Sequence, residues 1–430
     1  MPLLSNLMAA RSAFGLSLGF HIIFACFGMI LPFLVAIAHY RHLKSGNPLD
    51  LTLTQFWTRI LAIFFAVGAV SGTALSFEIG LLWPTFMQHA GPIIGMPFSL
   101  EGTAFFLEAV ALGVYLYGRG RIHPWVHWGS IILVGITGLS SGLFVIAANS
   151  WMNAPSGFDW VNGQAINIDP VAAMLNPGWL VMSLHMTLAA AMSVAFAVIA
   201  FHAVLLLKNP AQQIHRNAIK IAMMIAIPAT FLQPLSGDIS AKWVAKYQPV
   251  KLAAFESLFN TTQGAPLIIG GIPDVDTQSV KYGIHLPYML SFLATGDFNG
   301  TVQGLNSVPR ELWPPITVTH IAFQVMVGLG MTLIGVCIAS LVILRKGTWP
   351  RRWLQILVAS GPLGFVALEA GWIVTEVGRQ PWIIYGIMKT KDAVTPMPGL
   401  NAPFLLFTGM YVILSVVVVS LTVRSRHMLS

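Results

Sequence analysis

The sequence has little charge, because only 9% of its 430 residues are Asp, Glu, Lys or Arg whereas 56% are hydrophobic. A soluble domain carries roughly 25% charged residues, so this composition excludes an ordinary soluble globular protein. It also excludes a disordered chain, which needs low hydrophobicity and high charge. Cysteine is almost absent, and Cys26 and Cys337 both stand in apolar runs. The sequence therefore has no disulfide framework and no zinc-binding cysteine set, and we interpret both cysteines as packing residues.

Long apolar runs, in contrast, are abundant. A helix that crosses a bilayer needs about 20 mostly apolar residues, and nine segments meet this requirement. We predict spanning helices near 13–40, 55–77, 97–117, 125–149, 179–207, 215–235, 316–344, 353–375 and 402–423. The predicted fold class is therefore an all-α integral membrane protein.

One polar segment, 236–315, interrupts the apolar runs for long enough to form a folded extramembrane loop. It is rich in Gly, Pro, Asn, Gln and Asp, which is typical of loops and turns. We therefore predict three regions: helices one to six in 1–235, the loop in 236–315, and helices seven to nine in 316–430.

Basic residues are concentrated in alternate connections between the predicted spans. One set of connections holds 14 of the 23 Lys and Arg residues, whereas the connections at 78–96 and 150–178 hold none. The positive-inside rule places the basic set in the cytoplasm. The N-terminus and the 236–315 loop then face outward, and the C-terminus lies in the cytoplasm. The net charge of +8 thus reflects orientation in a membrane and does not indicate nucleic-acid binding.

Several side chains that can bind a metal or carry a proton lie inside the predicted spans, where ionisable groups are costly and mark functional sites. Five of them, from five helices, lie within about 15 Å of the outer ends of their spans at 1.5 Å per residue. These five are His21, Glu101, His185, Met326 and Glu369. Glu108 lies two helical turns deeper than Glu101 on nearly the same face.

The shared depth of these side chains favours a haem site. His and Met together form an axial pair of electron-transfer haems, and a His-bound iron with an open position suits oxygen chemistry. Each residue alone is also compatible with a packing or hydrogen-bonding role. For His202 and His320 we favour a structural role. No two histidines are adjacent, which argues against a copper-haem centre.

Three classes of function are compatible with these residues. The first is a haem-dependent redox enzyme. The second is a proton-coupled secondary transporter that uses Glu101, Glu108 and Glu369, although no internal repeat is visible to support it. The third is a structural membrane subunit without a cofactor, which the layer of His, Met and Glu residues makes a weaker interpretation.

Two segments near the end of the eighth span carry a family resemblance. Leu-Glu-Ala-Gly-Trp at 368–372 and Gly-Arg-Gln-Pro-Trp at 378–382 resemble the signature of subunit I of the cytochrome bd-type quinol oxidases. Further blocks that are similar to this family follow in order over nearly the whole chain. They are the His21 region, 101–108, 148–155, Asn-Pro at 176–177, 251–256 and 323–328.

The resemblance implies roles for the intramembrane residues. His185 and Met326 would be the axial ligands of a low-spin haem b. His21 and Glu369 would ligate the two high-spin haems of the oxygen-reducing site, without the sequence fixing which haem each serves. Glu101 would lie beside one of these haems or coordinate it, and Glu108 would carry protons towards the oxygen site.

The resemblance also assigns the loop and the signature segment. The 236–315 segment would bind quinol, with Lys251 and Glu256 as its working pair. A carboxylate can accept a proton from quinol and an amine can hydrogen-bond a quinone oxygen, although a solvated ion pair is the alternative. Arg379 would pair with haem propionates or fix its own loop, because a guanidinium suits carboxylates.

The cofactors, partners and location are likewise implied by the resemblance. The cofactors would be two haem b groups, one low-spin and one high-spin, with either haem d or a third haem b. The partners would be a membrane quinol (ubiquinol or menaquinol), dioxygen, subunit II and a small single-span subunit, in a bacterial inner membrane. Two features depart from many family members: Gln324 stands where an Arg is usual, and the loop is short. The chain is thus similar to the short-loop branch, which includes cyanide-insensitive members.

Overall fold

The computed structural model describes residues 4–429. Within this range, nine helical segments are long and apolar enough to cross a membrane, which confirms the predicted number. The spanning helices are α1 (Asn6–Ser45), α2 (Pro48–Leu82), α3 (Pro84–Tyr117), α4 (Pro124–Asn153), α6 (Trp179–Lys208), α7 (Gln213–Tyr247), α10 (Ile316–Arg345), the pair α11 (Arg351–Ser360) and α12 (Leu363–Val377), and α14 (Asn401–Ser425).

The remaining elements are short, and all but one lie in the connections. Four are α-helices: α5 (Pro170–Met174), α8 (Pro249–Glu256), α9 (Met289–Thr295) and α13 (Thr390–Ala393). Three are 3-10 helices, at Leu305–Ser307, Arg310–Leu312 and, at the end of α14, Arg426–Leu429. Ten are strands: β1 (Asp159–Val161), β2 (Gln164–Ile166), β3 (Thr262–Gln263), β4 (Leu267–Ile269), β5 (Ile272–Asp274), β6 (Ser279–Lys281), β7 (Ile284–Leu286), β8 (Thr301–Val302), β9 (Trp382–Ile384) and β10 (Met388–Lys389). The strands form antiparallel pairs, of which β3–β8, β4–β7 and β5–β6 build the polar loop.

Local sequence signals explain where the long helices begin and end. Proline stands at the first position of α2, α3 and α4, where its missing N–H group costs nothing. The side chain of Asn47 accepts a hydrogen bond from the backbone of Leu49 and so caps α2. Gly46, which ends α1, has a φ of 69°, a left-handed conformation that favours glycine. The first three spans are thereby joined by tight connections and run antiparallel.

Helix α1 lies at the centre of the bundle. It packs against α2, α4, α6 and α14, while α6 packs against α7, α11 and α12. The largest apolar core lies among α1, α2, α6 and α7 and contains both cysteines, which are fully buried and free. This placement agrees with a packing role for Cys26 and Cys337. Helices from several directions can therefore bring side chains to α1.

Two elements differ from the predicted spans. Helix α7 continues to Tyr247, so the first 12 residues of the segment predicted as a loop are helical. Asp238 and Lys242 are one helical turn apart in this extension. Their ion pair, with 2.6 Å between Nζ and Oδ2, supports the helix there. The eighth span is two helices, because α11 ends at Ser360 and α12 begins after Pro362. Proline lacks the N–H group that a continuous helix would need there.

Candidate functional site

The first candidate residues surround α1. His21 points towards α2, where its Nδ1 atom lies 2.9 Å from the hydroxyl oxygen of Ser71. Glu369 on α12 reaches α1 nearby, since a Cβ added at Gly19 would stand 3.3 Å from its Oε2 atom. Its other carboxyl oxygen is buried and has no hydrogen-bond partner among residues 4–429. Gly19 and His21 are two positions apart on α1, and such positions point in nearly opposite directions. The His21 ring and the Glu369 carboxyl group therefore lie on different sides of the same turn of α1.

Glu108 lies where three helices meet. Its side chain extends from α3 and is buried. Its Oε1 atom would stand 3.4 Å from a Cβ at Gly28 on α1 and 3.3 Å from one at Gly138 on α4. The two glycines thus make room for the carboxyl group between their helices. Glu101 lies two turns along α3, or about 10 Å at 1.5 Å per residue. The structure therefore places both carboxylates on one helix of this interface.

His185 and Met326 come from helices that both pack against α12. The imidazole of His185 on α6 faces α7, with Nδ1 at 2.9 Å from the Ser236 hydroxyl oxygen. The thioether of Met326 on α10 faces α12, because a Cβ at Gly371 would stand 3.0 Å from its sulfur atom. Helix α12 packs against α6 and α10 alike. The two side chains therefore belong to helices that neighbour the one carrying Glu369.

Lys251 and Glu256 on α8 are both buried, so they are not the solvated ion pair that was the alternative interpretation. Lys251 donates from Nζ to the Oδ1 atom of Asn153 at 2.6 Å. Burial, helped by the positive charge of Arg379, lowers the pKa of Lys251 well below its usual range. Burial also raises the pKa of Glu256 to about 8, and its Oε2 atom has no hydrogen-bond partner. Within residues 4–429 no hydrogen bond joins the two side chains.

Arg379 is buried beside Lys251 in what we term the interhelical polar cluster. Its Nη2 atom donates to Glu376 at 2.6 Å, and the other carboxyl oxygen of Glu376 accepts from Asn149 at 2.7 Å. Burial lowers the pKa of Arg379, and the charge of Glu376 opposes that shift. The Nε and Nη1 atoms of Arg379 are buried and have no hydrogen-bond partner in the described part of the chain. The cluster joins the ends of α4, α8 and α12 and consists of Asn149, Asn153, Gln248, Lys251, Glu376 and Arg379.

Sequence reasoning missed several of these polar residues. Asn149 and Asn153 stand in the 148–155 block that carried part of the resemblance, but no role was assigned to them. The predicted eighth span ended one residue before Glu376, which pairs with Arg379. Glu78 was also missed: it is fully buried on α2 and accepts a hydrogen bond from Ser17 at 2.5 Å. The predicted second span ended one residue before Glu78, so the available signal was a carboxylate at the margin of an apolar run.

Other polar residues have structural partners. His320 contacts the backbone oxygens of Phe255 at 2.8 Å and Gly270 at 3.1 Å, and thereby joins α10 to α8 and the loop. Gln324 bonds the same part of the loop. His202 accepts a hydrogen bond from the Trp57 indole at 3.1 Å. These contacts agree with the structural interpretation of the two histidines.

A known family accounts for nearly the whole chain. The family model described as cytochrome bd terminal oxidase subunit I matches residues 9–428. The chain belongs to this family. It is accordingly a membrane-embedded subunit of a terminal oxidase, an oxidoreductase, and the transporter and structural alternatives are wrong.

Similar proteins agree with this membership in sequence and in fold. A Bacillus subtilis protein with the provisional name cytochrome bd menaquinol oxidase subunit I is 36% identical, over 97% of this chain and 95% of its own length. A second B. subtilis protein, cytochrome bd ubiquinol oxidase subunit 1, is 33% identical over 98% of this chain and 93% of its own. The solved bd oxidase from Geobacillus thermodenitrificans has a TM-score of 0.93 at 37% identity, covering 99% of both chains. This likeness confirms the predicted all-α membrane fold.

Cytochrome bd oxidases are haem proteins, and the side chains described above fit such a cofactor. Imidazole, thioether and carboxylate groups are suitable ligands for haem iron. The unpartnered Oε1 atom of Glu369 and the unpartnered guanidinium nitrogens of Arg379 are buried polar atoms, which are costly unless another group binds them. The Arg379 nitrogens suit a carboxylate such as a haem propionate.

Proposed function

We propose that this chain is the catalytic subunit I of a haem-containing quinol:oxygen oxidoreductase. It oxidises a membrane quinol and reduces dioxygen to water. The observation that carries the proposal is the match of nearly the whole chain to the terminal oxidase family, within which His21, His185, Met326 and Glu369 supply ligand-type side chains.

The quinol site lies at α8. Oxidation of a quinol releases two protons together with two electrons, so a group of suitable pKa must accept a proton. Glu256, whose pKa burial raises to about 8, exchanges protons effectively near neutral pH. Lys251 binds a quinone oxygen through its amine, while Asn153 holds that amine in position. Exclusion of water around both side chains strengthens these polar contacts.

The haem ligands are assigned to four helices. His185 and Met326 hold a low-spin haem b, and His21 and Glu369 hold the two high-spin haems, with Glu101 beside one of them. The set is two haem b groups with either haem d or a third haem b, and when bound it supplies electron transfer from quinol to oxygen. Arg379 pairs with a propionate or fixes the 378–382 loop, and Glu376 orients its guanidinium.

Protons for oxygen reduction reach the site through Glu108. This carboxylate lies between α1, α3 and α4, and Glu101 is the next carboxylate along α3 towards the predicted outer side. Quinol protons leave at the outer face, whereas Glu108 takes protons from the cytoplasm. The enzyme thus builds a proton gradient by using opposite faces of the membrane, without a pump.

The chain resides in the bacterial plasma membrane with its N-terminus and polar loop outside and its C-terminus in the cytoplasm. Its small-molecule partners are ubiquinol or menaquinol and dioxygen. Its protein partners are subunit II and a small single-span subunit. Large exposed apolar side chains along α14, such as Leu406, Ile413 and Val416, suit contact with lipid or with such a subunit.

Spectroscopy of the purified complex tests the proposal. We expect haem bands in the reduced-minus-oxidised spectrum, a positive pyridine haemochrome assay and quinol-dependent oxygen consumption. Mass analysis of the extracted haems would distinguish haem d from a third haem b. A purified complex without haem bands would refute the proposed function.

Replacement of Met326 by leucine tests the low-spin assignment. Leucine keeps most of the volume but removes the thioether sulfur, so we expect the low-spin bands to disappear while ligand binding at the oxygen site persists. Met397→Leu is the matched control, because Met397 is exposed. An unchanged low-spin spectrum in Met326→Leu would exclude this axial pair.

A further inference from the structure

His21 and His185, the two candidate haem ligands, contact the same pair of residue types on a neighbouring helix. Each imidazole faces a Ser-Gly step on the adjacent helix: Ser71-Gly72 on α2 faces His21, and Ser236-Gly237 on α7 faces His185. Both serines are buried. The same two residue types therefore contact both rings, although the two sites use different pairs of helices.

The hydrogen bonds of the serines determine which ring nitrogen carries the hydrogen atom. The Ser71 hydroxyl lies 2.9 Å from the backbone oxygen of Val67, and the Ser236 hydroxyl lies 2.8 Å from that of Gln233. A backbone oxygen can only accept and a hydroxyl has one hydrogen, so each hydroxyl donates to its own helix. Each serine oxygen must then accept from the Nδ1–H group of the histidine, so Nε2 is the ring nitrogen that carries the lone pair.

The amide nitrogen of Gln233 also contacts the His185 ring. It lies 3.3 Å from Nδ1 and 3.2 Å from Nε2, so it does not distinguish the two ring nitrogens. The tautomer of His185 is therefore assigned from the hydroxyl of Ser236, which lies 2.9 Å from Nδ1 and donates to the backbone of Gln233.

The glycines determine how closely each ring approaches the neighbouring helix. A Cβ at Gly72 would stand 2.9 Å from the Cε1 atom of His21, closer than such atoms approach in proteins. A Cβ at Gly237 would stand 3.7 Å from Cε1 of His185, which is an ordinary van der Waals contact. A side chain at position 72 would therefore push the His21 ring away from α2, whereas alanine is tolerated beside His185.

We infer that Ser71 with Gly72, and Ser236 alone, are positioning residues that present the Nε2 atoms of His21 and His185 to haem iron. This inference rests on the proposed haem ligation by those histidines. A metal-bound histidine usually donates its other ring N–H to a partner, which fixes the tautomer, orients the ring and raises its basicity. Ser71 and Ser236 supply that acceptor, and loss of such a partner typically lowers metal affinity about 10- to 100-fold.

The test of the serine uses Ser236→Ala in the assembled complex. We expect the rate of haem transfer from the low-spin site to apomyoglobin to rise at least about tenfold. We also expect the midpoint potential of that haem to rise, because a less basic imidazole stabilises ferric iron less. Ser236→Thr restores the hydroxyl and should return both values towards wild type. Ser240→Ala is the matched control, since Ser240 bonds the backbone of Ser236 one turn away.

The test of the glycines compares Gly72→Ala with Gly237→Ala. The first should displace the His21 ring and change the high-spin spectrum, whereas the second should leave the low-spin spectrum unchanged. This pair keeps the inference testable if Ser236→Ala does not assemble. Equal spectra for both glycine variants would overturn the steric part of the inference.

His185→Ala separates this inference from the proposed function. If low-spin bands persist in His185→Ala, the proposed ligation itself fails. If His185→Ala loses those bands but Ser236→Ala matches Ser240→Ala in haem retention and potential, only the positioning role is overturned.

Discussion

Glu256 owes its proton affinity to burial, because no charged neighbour causes the shift. The folded chain raises the pKa of this carboxyl from 4.5 to about 8, so the neutral form is favoured in the folded protein. The stabilising effect of this bound proton is complete below pH 4.5 and is lost as the pH rises through about 8. The same titration produces the deprotonated form that can accept a quinol proton. As the pH rises towards 8, Glu256 therefore contributes less to the stability of the fold and more to quinol turnover.

Glu256→Gln tests this role at the residue scale. Glutamine keeps the shape but cannot accept a proton, so we expect quinol oxidation to fall about 100-fold with haem content unchanged. Wild-type turnover should rise as the pH approaches 8, and the variant should lose this dependence. Glu311→Gln is the control, because Glu311 is an exposed glutamate of the same loop. Turnover in Glu256→Gln equal to that of the control would exclude Glu256 as the base.

At the residue scale, the sequence indicated which residues are candidates for the site but not which residues they hydrogen-bond. Ionisable groups in apolar runs are visible without a structure, as for Glu108 and Glu369. The contacts of Lys251 with Asn153 and of Arg379 with Glu376 were not predicted. Asn153 and Lys251 are 98 positions apart, and no local pattern states that the ends of α4 and α8 meet.

At the scale of elements, α11 and α12 both lie close to α6. A Cβ at Gly364 near the start of α12 would stand 2.7 Å from the Cα atom of Ser193 on α6. Backbone atoms cannot move aside as a flexible side chain can. The close approach therefore depends on glycine and sets the position of the helix that carries Glu369 and, further along, Glu376.

Gly364→Ala should therefore destabilise the complex. Forcing a methyl group into a close-packed interface typically costs about 1–3 kcal/mol, so we expect a lower midpoint of thermal unfolding in detergent and weaker haem retention. Gly409→Ala on α14 is the matched control, because a Cβ there would have no neighbour within 4 Å. Equal unfolding midpoints for the two variants would contradict the proposed close contact.

On the scale of the whole molecule, the polar loop and the basic connections define two ends of the helical bundle. Tyr282 in the loop is 89% exposed, and Lys346 follows α10 at the basic end. Both native cysteines are buried, so they provide little background for thiol labelling. Orientation in the membrane can thus be measured on the full chain with single added cysteines.

Tyr282→Cys and Lys346→Cys test the orientation. With a membrane-impermeant maleimide on intact spheroplasts, we expect Tyr282→Cys to react at once and Lys346→Cys to react only after permeabilisation. The physical basis is the excess of Lys and Arg in cytoplasmic connections. Reaction in the reverse order would place the quinol loop in the cytoplasm and contradict the proposed sidedness.

The sequence by itself determined the all-α membrane fold, the number of spans and the residue types of the candidate sites. These properties follow from composition and local runs, since about 20 apolar residues suffice to cross a bilayer wherever they occur. Tertiary structure alone decided the extension of α7, the burial of Lys251 and Glu256, and the Ser-Gly steps beside His21 and His185. Each of these depends on which helices lie side by side, and that choice is made by packing between segments distant in the chain.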